Sequence, residues 1–198
     1  MPLLLFVVML AVAGGILYLL LKEGVERTQR GTGPGRVEAP RGEEIISVAR
    51  TSAHDFDPLG DGAEHAEQAP LAVDNDNDTA WTTENYRGEA LTKPSGEPGV
   101  GLYIDAKPSV NARSLQIQTP RPGWQMEILA ARARPTDKWP SDAWTQVGGG
   151  TVTKRTQRFK LHTGDKRYRY YLVWIKKLPP NEGRVEITQV TLSAPKPQ

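Results

Sequence analysis

From Glu43 to the C-terminus, no stretch keeps its apolar residues at the 3.6-residue spacing of a buried helix face. Short alternating or β-branched runs recur instead, closed off by Gly, Pro, Asn and Asp. They predict strands at 44–50 (EIISVAR), 99–105 (GVGLYID), 113–118 (RSLQIQ), 125–131 (QMEILAA), 143–147 (AWTQV), 156–161 (TQRFKL), 168–176 (YRYYLVWIK) and 184–193 (RVEITQVTLS). A strand this short cannot bury a face alone. Strands must pair and stack, so the pattern predicts an all-β domain, an antiparallel sandwich. The Gly148–Gly150 run reads as a turn; it lacks the Lys of a phosphate loop.

The N-terminus has a different texture. Residues 3–21 read LLLFVVMLAVAGGILYLLL, without a charge. At about 1.5 Å per residue such a run spans about 29 Å, the thickness of a hydrocarbon core. One transmembrane helix is therefore predicted over 1–22. The rival is a cleaved signal peptide, with Ala11 and Ala13 as its small-residue pair. The lack of Lys or Arg before the run, and its continuation to Leu21, favour a retained helix. Residues 23–42 hold Gly24, Gly31, Gly33, Gly35, Gly42, Pro34 and Pro40 among alternating charges, the texture of a flexible linker. The folded domain is expected over 43–198. Cations on the C-terminal flank of the apolar run point the domain to the cytoplasm. That rule weakens when a large domain follows, and a cytoplasmic part upstream of Met1 would reverse it.

The chain carries 25 Lys+Arg against 23 Asp+Glu. Taking away Lys22, Arg27, Arg30, Arg36 and Arg41, with Glu23, Glu26 and Glu38, leaves a domain of balanced charge. Bulk attraction to nucleic acid is excluded on that balance. The absence of Cys excludes disulfides, a thiol nucleophile and Cys-ligated zinc. His54, His65 and His162 sit in no HExxH string, and no GxSxG string occurs, so no enzyme is expected. Residues 152–177 hold Lys154, Arg155, Arg158, Lys160, Lys166, Arg167, Arg169, Lys176 and Lys177 against Asp165 alone. That pattern suits either a solvated outer face or a patch that meets anionic headgroups or wall polymers.

Between Arg50 and Arg87 there is no cation, but there are nine carboxylates. The sharpest string is Leu71-Ala72-Val73-Asp74-Asn75-Asp76-Asn77-Asp78-Thr79-Ala80-Trp81. Its acids alternate as in a calcium loop, but Thr79 and Asn85 stand where an EF-hand needs Gly and Glu. A solvated turn of Asx hydrogen bonds is the other reading.

The string resembles the signature of the discoidin-like family, the coagulation-factor C-type or galactose-binding-like jelly roll: apolar-Ala-apolar-Asp-Gly-Asp/Asn-x-x-Thr-x-Trp. Asn75 stands where that family usually has Gly, and Asn also tolerates the left-handed conformation. Val185-Glu186-Ile187 matches the Glu of the family's closing strand. The resemblance covers about residues 43–195. It implies a jelly-roll sandwich with one structural Ca2+. The implied ligands are the Leu71 carbonyl, Asp74, Asp76, Thr79 and Glu186, with the Val185 carbonyl as a further donor. Asp78 would be a solvated neighbour and Trp81 a core residue.

A second string, Asp55-Phe56-Asp57-Pro58-Leu59-Gly60-Asp61-Gly62-Ala63-Glu64, is similar to one in discoidin-like domains outside actinobacterial membranes, on proteins with a kinase-like region inside. It suits a packed Ω-loop plugged by Phe56 and Leu59, or a second cation site. The resemblance also supports a cytoplasmic part upstream of Met1.

Family members bind ligands through loops at one end of the sandwich. The candidates are Tyr86, Arg87, Trp124 and Trp139, with Trp144 a further aromatic. Trp139 leads, because its turn-rich surroundings offer an indole little core; its rival role is a cap on the sandwich. The expected protein is single-pass in the cell membrane, with an extracytoplasmic C-terminal domain that binds cell-envelope carbohydrate without catalysis. The alternative is an interaction module docking a partner protein or the anionic membrane surface.

Overall fold

The computed structural model describes residues 38–87, 91, 99–134, 136, 138–139 and 141–196. All of them belong to the unit Val37–Gln198, into which the chain divides after Arg36. The expected transmembrane helix and residues 23–37 of the expected linker lie outside the described residues. Among the described residues no helix is long and apolar enough to cross a membrane.

The unit is built from antiparallel strands: β1 (Glu43–Ile45), β2 (Ala53–Phe56), β3 (Trp81–Thr82), β4 (Val100–Val110), β5 (Ser114–Gln118), β6 (Trp124–Ala131), β7 (Thr145–Val152), β8 (Thr156–Lys160), β9 (Tyr168–Lys177), β10 (Glu186–Ile187) and β11 (Gln189–Pro195). One sheet runs β1-β11-β5-β8 and the other β2-β4-β9-β6-β7; β10 and β3 form a small third pair. The all-β sandwich expected from the sequence is the observed architecture.

Alternation explains the four-stranded sheet. In β5 and β11, Leu115, Ile117, Val190 and Leu192 enter the core. The polar residues between them lie on the other face, where Gln116 opposes Thr191 and Ser114 opposes Ser193. Strand β9 does not alternate. Its Tyr171, Val173 and Ile175 join the main core, while Tyr170, Leu172 and Trp174 join a second cluster. A strand buried on both faces reads as a continuous apolar run, as YLVWI does. Every buried hydrophobic side chain among the described residues falls between Ala53 and Ala194, so the unit closes its own core.

Several local expectations are corrected. The 44–50 strand shrinks to β1, and 184–193 splits into β10 and β11. Strands β2 and β3 were not expected, and the acidic segment between them carries a 3-10 helix, Ala66–Val73. Gly148–Gly150 is no turn: it lies inside β7, paired with Met126, Glu127 and Ile128 of β6. A Cβ on Gly149 would stand 2.6 Å from the Met126 carbonyl oxygen, so the close approach requires glycine.

Tyr171 ties the β4–β5 corner to the core. Its hydroxyl donates to the Val110 carbonyl at 2.8 Å and accepts from the Ala112 N–H at 3.1 Å. Burial, its largest cause, pushes the Tyr171 phenol up to about 12. An unfolded tyrosine ionises near pH 10. The folded state therefore holds its proton where the unfolded state has lost it. This contribution is whole below about pH 10 and is lost as pH rises toward 12. Tyr171→Phe should cost about 1–2 kcal/mol near neutrality, from the unpaired Ala112 N–H and the lost bond. It should also flatten the alkaline fall of the melting temperature; an equally steep fall in the variant would assign that fall to other groups.

Candidate functional site

The outer face of the five-stranded sheet is apolar and covered. Phe56, Tyr103, Leu129, Tyr170, Leu172 and Trp174 form its floor, and half-buried Leu59, Trp139 and Trp144 pack on top. Trp139 lies 4.3 Å from Trp174 between ring centroids, tilted by 33°. Phe56 meets Trp139, Trp144 and Trp174 edge-on at 5.9–6.0 Å. Such contacts add about 0.5–1.5 kcal/mol each beyond area burial. Two glycines admit the Trp174 indole: a Cβ on Gly99 would stand 2.2 Å from it, and one on Gly101 would stand 2.5 Å from the Val173 carbonyl. At the rim, His54 stacks on Tyr103 at 4.9 Å. Burial pushes the Tyr103 phenol up, and the Arg134 guanidinium opposes that shift. Arg169 grips Asp105 through two hydrogen bonds of 2.7 and 2.6 Å.

The DFDPLGDGAE string is the packed loop. Leu59 and Phe56 plug the outer cluster, and the terminal Glu64 is fully buried. Its carboxylate accepts the Glu84 N–H at 2.6 Å and the Tyr86 hydroxyl. Its carbonyl accepts the Trp81 indole N–H at 2.7 Å, and its N–H donates to Asp55 at 2.7 Å. Trp81 is a core residue with no exposure, as the resemblance implied.

The signature loop has the expected turn. Asn75 is left-handed (φ 61°), and its N–H donates to the Gln189 side chain at 3.0 Å. Asp74 accepts from the Asp76 N–H and Asp76 from the Asp78 N–H, at 2.9 and 3.0 Å. Thr79 Oγ lies 2.9 Å from Asp74 Oδ2 and 3.1 Å from the Asp76 carbonyl oxygen. In both contacts the Thr79 hydroxyl is the donor, and the distances are those of a hydrogen-bonded turn. Glu186 is not brought to these oxygens. It pairs across β10–β3 with Thr82, and its carboxylate stands 3.9 Å from Arg121 Nε. Among the described residues no three acids or histidines form a metal-holding group. Arg50 supplies positive charge instead, 3.4 Å from Asp74. Leu71 lies in the 3-10 helix before the turn.

The candidate ligand residues separate. Trp124 is fully buried in the main core, which removes it from any binding surface. Its position after Gly123, at the start of a strand, was the signal for that. Tyr86 is half-buried against the main core and directed to Glu64. Arg87 is exposed. Trp139 caps the outer cluster and keeps part of its surface open, together with Trp144 just before β7. Arg132, Arg134 and Lys138 on the same connection are exposed. Replacing Trp139 by Ala should cost about 2 kcal/mol in a urea titration, less than the about 3–5 of a wholly buried aromatic. An unchanged midpoint would mean that the indole does not hold the cluster.

No protein-family model and no curated protein matches the sequence. Solved structures do match in shape. A Ruminococcus gnavus GH29 fucosidase in complex with fucose superposes with a TM-score of 0.50 at 13% identity, over 74% of this chain; the chain spans only 26% of that protein. The chitosan-binding module 1 of a chitosanase/glucanase from Paenibacillus sp. IK-5 gives 0.53 at 13% identity, covering 75% of this chain and 98% of the module. The family 32 carbohydrate-binding module of C. perfringens NanJ, in complex with galactose, gives 0.51 at 16% identity, covering 76% and 98%. The two-sheet architecture of residues 43–195 is therefore the discoidin-like, galactose-binding-like fold shared with family 32 carbohydrate-binding modules.

Proposed function

We propose that this protein is a membrane-anchored, non-catalytic module that binds cell-envelope carbohydrate. The observation that carries the reading is the pair of half-exposed indoles, Trp139 and Trp144, on one connection of a carbohydrate-binding-module fold. An indole offers the apolar face of a sugar ring a flat partner. The exposed Arg132 and Arg134 on that connection supply donors for hydroxyl or carboxylate oxygens. Residues 3–21 support the anchor through their uncharged length. In a glycan-array screen, wild type should bind a defined set of saccharides. Trp139→Phe keeps an aromatic in the cluster and shrinks the platform, so it should weaken binding about two- to tenfold with little change in melting. Absence of binding by wild type across the array would overturn the reading.

Calcium is proposed as a structural ion of the signature loop, held by Asp74, Asp76 and Thr79, with the Leu71 carbonyl and Glu186 completing the set once Glu186 turns from Arg121. The resemblance of the loop to the discoidin-like signature supports it. A bound ion stabilises by mass action, about 2.7 kcal/mol at a hundredfold excess over its dissociation constant. Calcium should raise the melting temperature and chelator should lower it, with Asp76→Asn abolishing the difference. Identical melts, with no ion found by elemental analysis, would leave Arg50 as the loop's counter-charge.

A further inference from the structure

We propose that the β8 edge of the domain is a binding site for a phosphorylated saccharide. A cleft of about 480 Å³ opens there. Its floor is Ser114 and Leu161, both buried. Its walls are Arg158 and Lys160 of β8, Arg113 just before β5, Pro40, and Glu43 of β1. Arg158 and Lys160 are exposed, and Arg113 is half-buried. The volume lies within the range of sites that hold small ligands, about 300–1,000 Å³.

The cations of this cleft are held in place without being used up. Arg158 donates from Nη2 to the Gln116 side chain at 2.8 Å and to the Glu38 carbonyl at 2.5 Å. Those bonds fix the guanidinium, while Nε and Nη1 keep their donors. Among the described residues no carboxylate pairs with Arg158 or Lys160. Arg113 meets Asp165 at 3.4 Å, but that carboxylate is fully exposed, and an ion pair in solvent contributes little. Among the described residues Glu43 is the one acid on the walls, and its carboxylate accepts the Ser114 hydroxyl at 2.7 Å. Three cations against one acid leave two positive charges, and a phosphate monoester carries about −1.5 to −2 at neutrality. Donors arriving from three residues suit a tetrahedral oxyanion. A planar carboxylate is satisfied by a single guanidinium fork.

The saccharide follows from what lies on the other side of Lys160. That residue also lines a second cleft of about 360 Å³, with Gln146, His162 and the glycines Gly148 and Gly149. The two clefts therefore adjoin at Lys160. The second lies on the seam between the sheets, where the His162 N–H donates to the Val147 carbonyl at 2.7 Å. Gln146, Gly149 and His162 are exposed. An amide and an imidazole can each donate and accept, as sugar hydroxyls require. Glycine leaves a backbone that a ring can approach closely. A phosphate between Arg158 and Lys160, with its sugar across the seam, uses both clefts. Cations on an edge strand also discourage pairing between copies. That role needs neither Arg113, which lies outside β8, nor a cleft on each side of Lys160.

The test is calorimetric titration of the full chain, in neutral detergent, with glucose 6-phosphate. Inorganic phosphate, glucuronate and glucose are the comparison ligands. Glucose 6-phosphate should bind most tightly of the four, and its affinity should fall as salt rises. Arg158→Gln and Lys160→Gln should each weaken it about three- to tenfold, between the effect of an exposed ion pair and that of a charge-assisted hydrogen bond. Glu43→Gln keeps an acceptor for Ser114 and removes the opposing charge, so it should tighten binding about twofold. No binding of glucose 6-phosphate, or undiminished binding by both β8 variants, would overturn the proposal. Equal affinity for inorganic phosphate would overturn the saccharide, and equal affinity for glucuronate would overturn the phosphate. Weakening by Trp139→Phe alone would place the ligand on the aromatic roof and overturn the site. Self-association of the β8 variants with the titration unchanged would do so in favour of edge protection. The β8 variants leave the aromatic roof intact, so failure here is separate from failure of the glycan-array screen.

Discussion

The buried Glu64 carboxylate is the point on which the least regular third of the domain depends. Among the described residues between β2 and β4 there is little ladder: a two-residue strand and one 3-10 helix. Loops normally stay at the surface because their backbone groups need partners. Here one side chain supplies several. Glu64 receives the Glu84 N–H and the Tyr86 hydroxyl, while its own backbone binds Asp55 and the Trp81 indole. Strand β2, the Ω-loop, the start of β3 and the chain after it are thereby fastened to one residue. Taking a carboxylate fully out of water costs several kcal/mol. Charge-assisted bonds offset that cost only when the donors are already in place. The acids of the DFDPLGDGAE string thus have structural duties at both ends, Asp55 and Glu64.

The second constraint is that β9 is apolar on both faces. An ordinary sandwich strand would put polar groups outside, but Tyr170, Leu172 and Trp174 need cover. The Ω-loop contributes Leu59, and the β6–β7 connection contributes Trp139 and Trp144. The aromatic residues proposed to meet a glycan are therefore also the roof of a small core. Packing fixes where the indoles stand, so the part of each that stays exposed is ordered on folding.

The regular parts of this fold were legible because their sequence obeys a period. RSLQIQ alternates and became β5; YRYYLVWIK is continuous and became the doubly buried β9. The misses have physical causes. Gly148–Gly150 has no strand propensity, and its place in β7 is set by the carbonyl of Met126 on the neighbouring strand. Strand β2 reads AHDF, with His54 held by the Tyr103 ring and Asp55 by the Glu64 N–H. Neither partner is near in sequence. The left-handed Asn75 and the core role of Trp81 were legible through the resemblance of the signature string to the discoidin-like family. Trp124 carried a local signal, Gly123 before a strand start, whereas Tyr86 had none: what assigns it is the Glu64 carboxylate, 22 residues away.

In a sandwich the outer faces of the sheets point in opposite directions. The exposed cations of the β8 edge, and Ile45 on the opposite edge, belong to the four-stranded sheet. The aromatic roof with Trp139 and Trp144 belongs to the five-stranded one. Charge balance follows the same division. The domain is neutral overall, yet its cations gather on β8 and its neighbouring turns, while its acids concentrate between Arg50 and Arg87. The charge of the domain is thus divided, with cations along the β8 edge and acids in the segment that the buried Glu64 fastens.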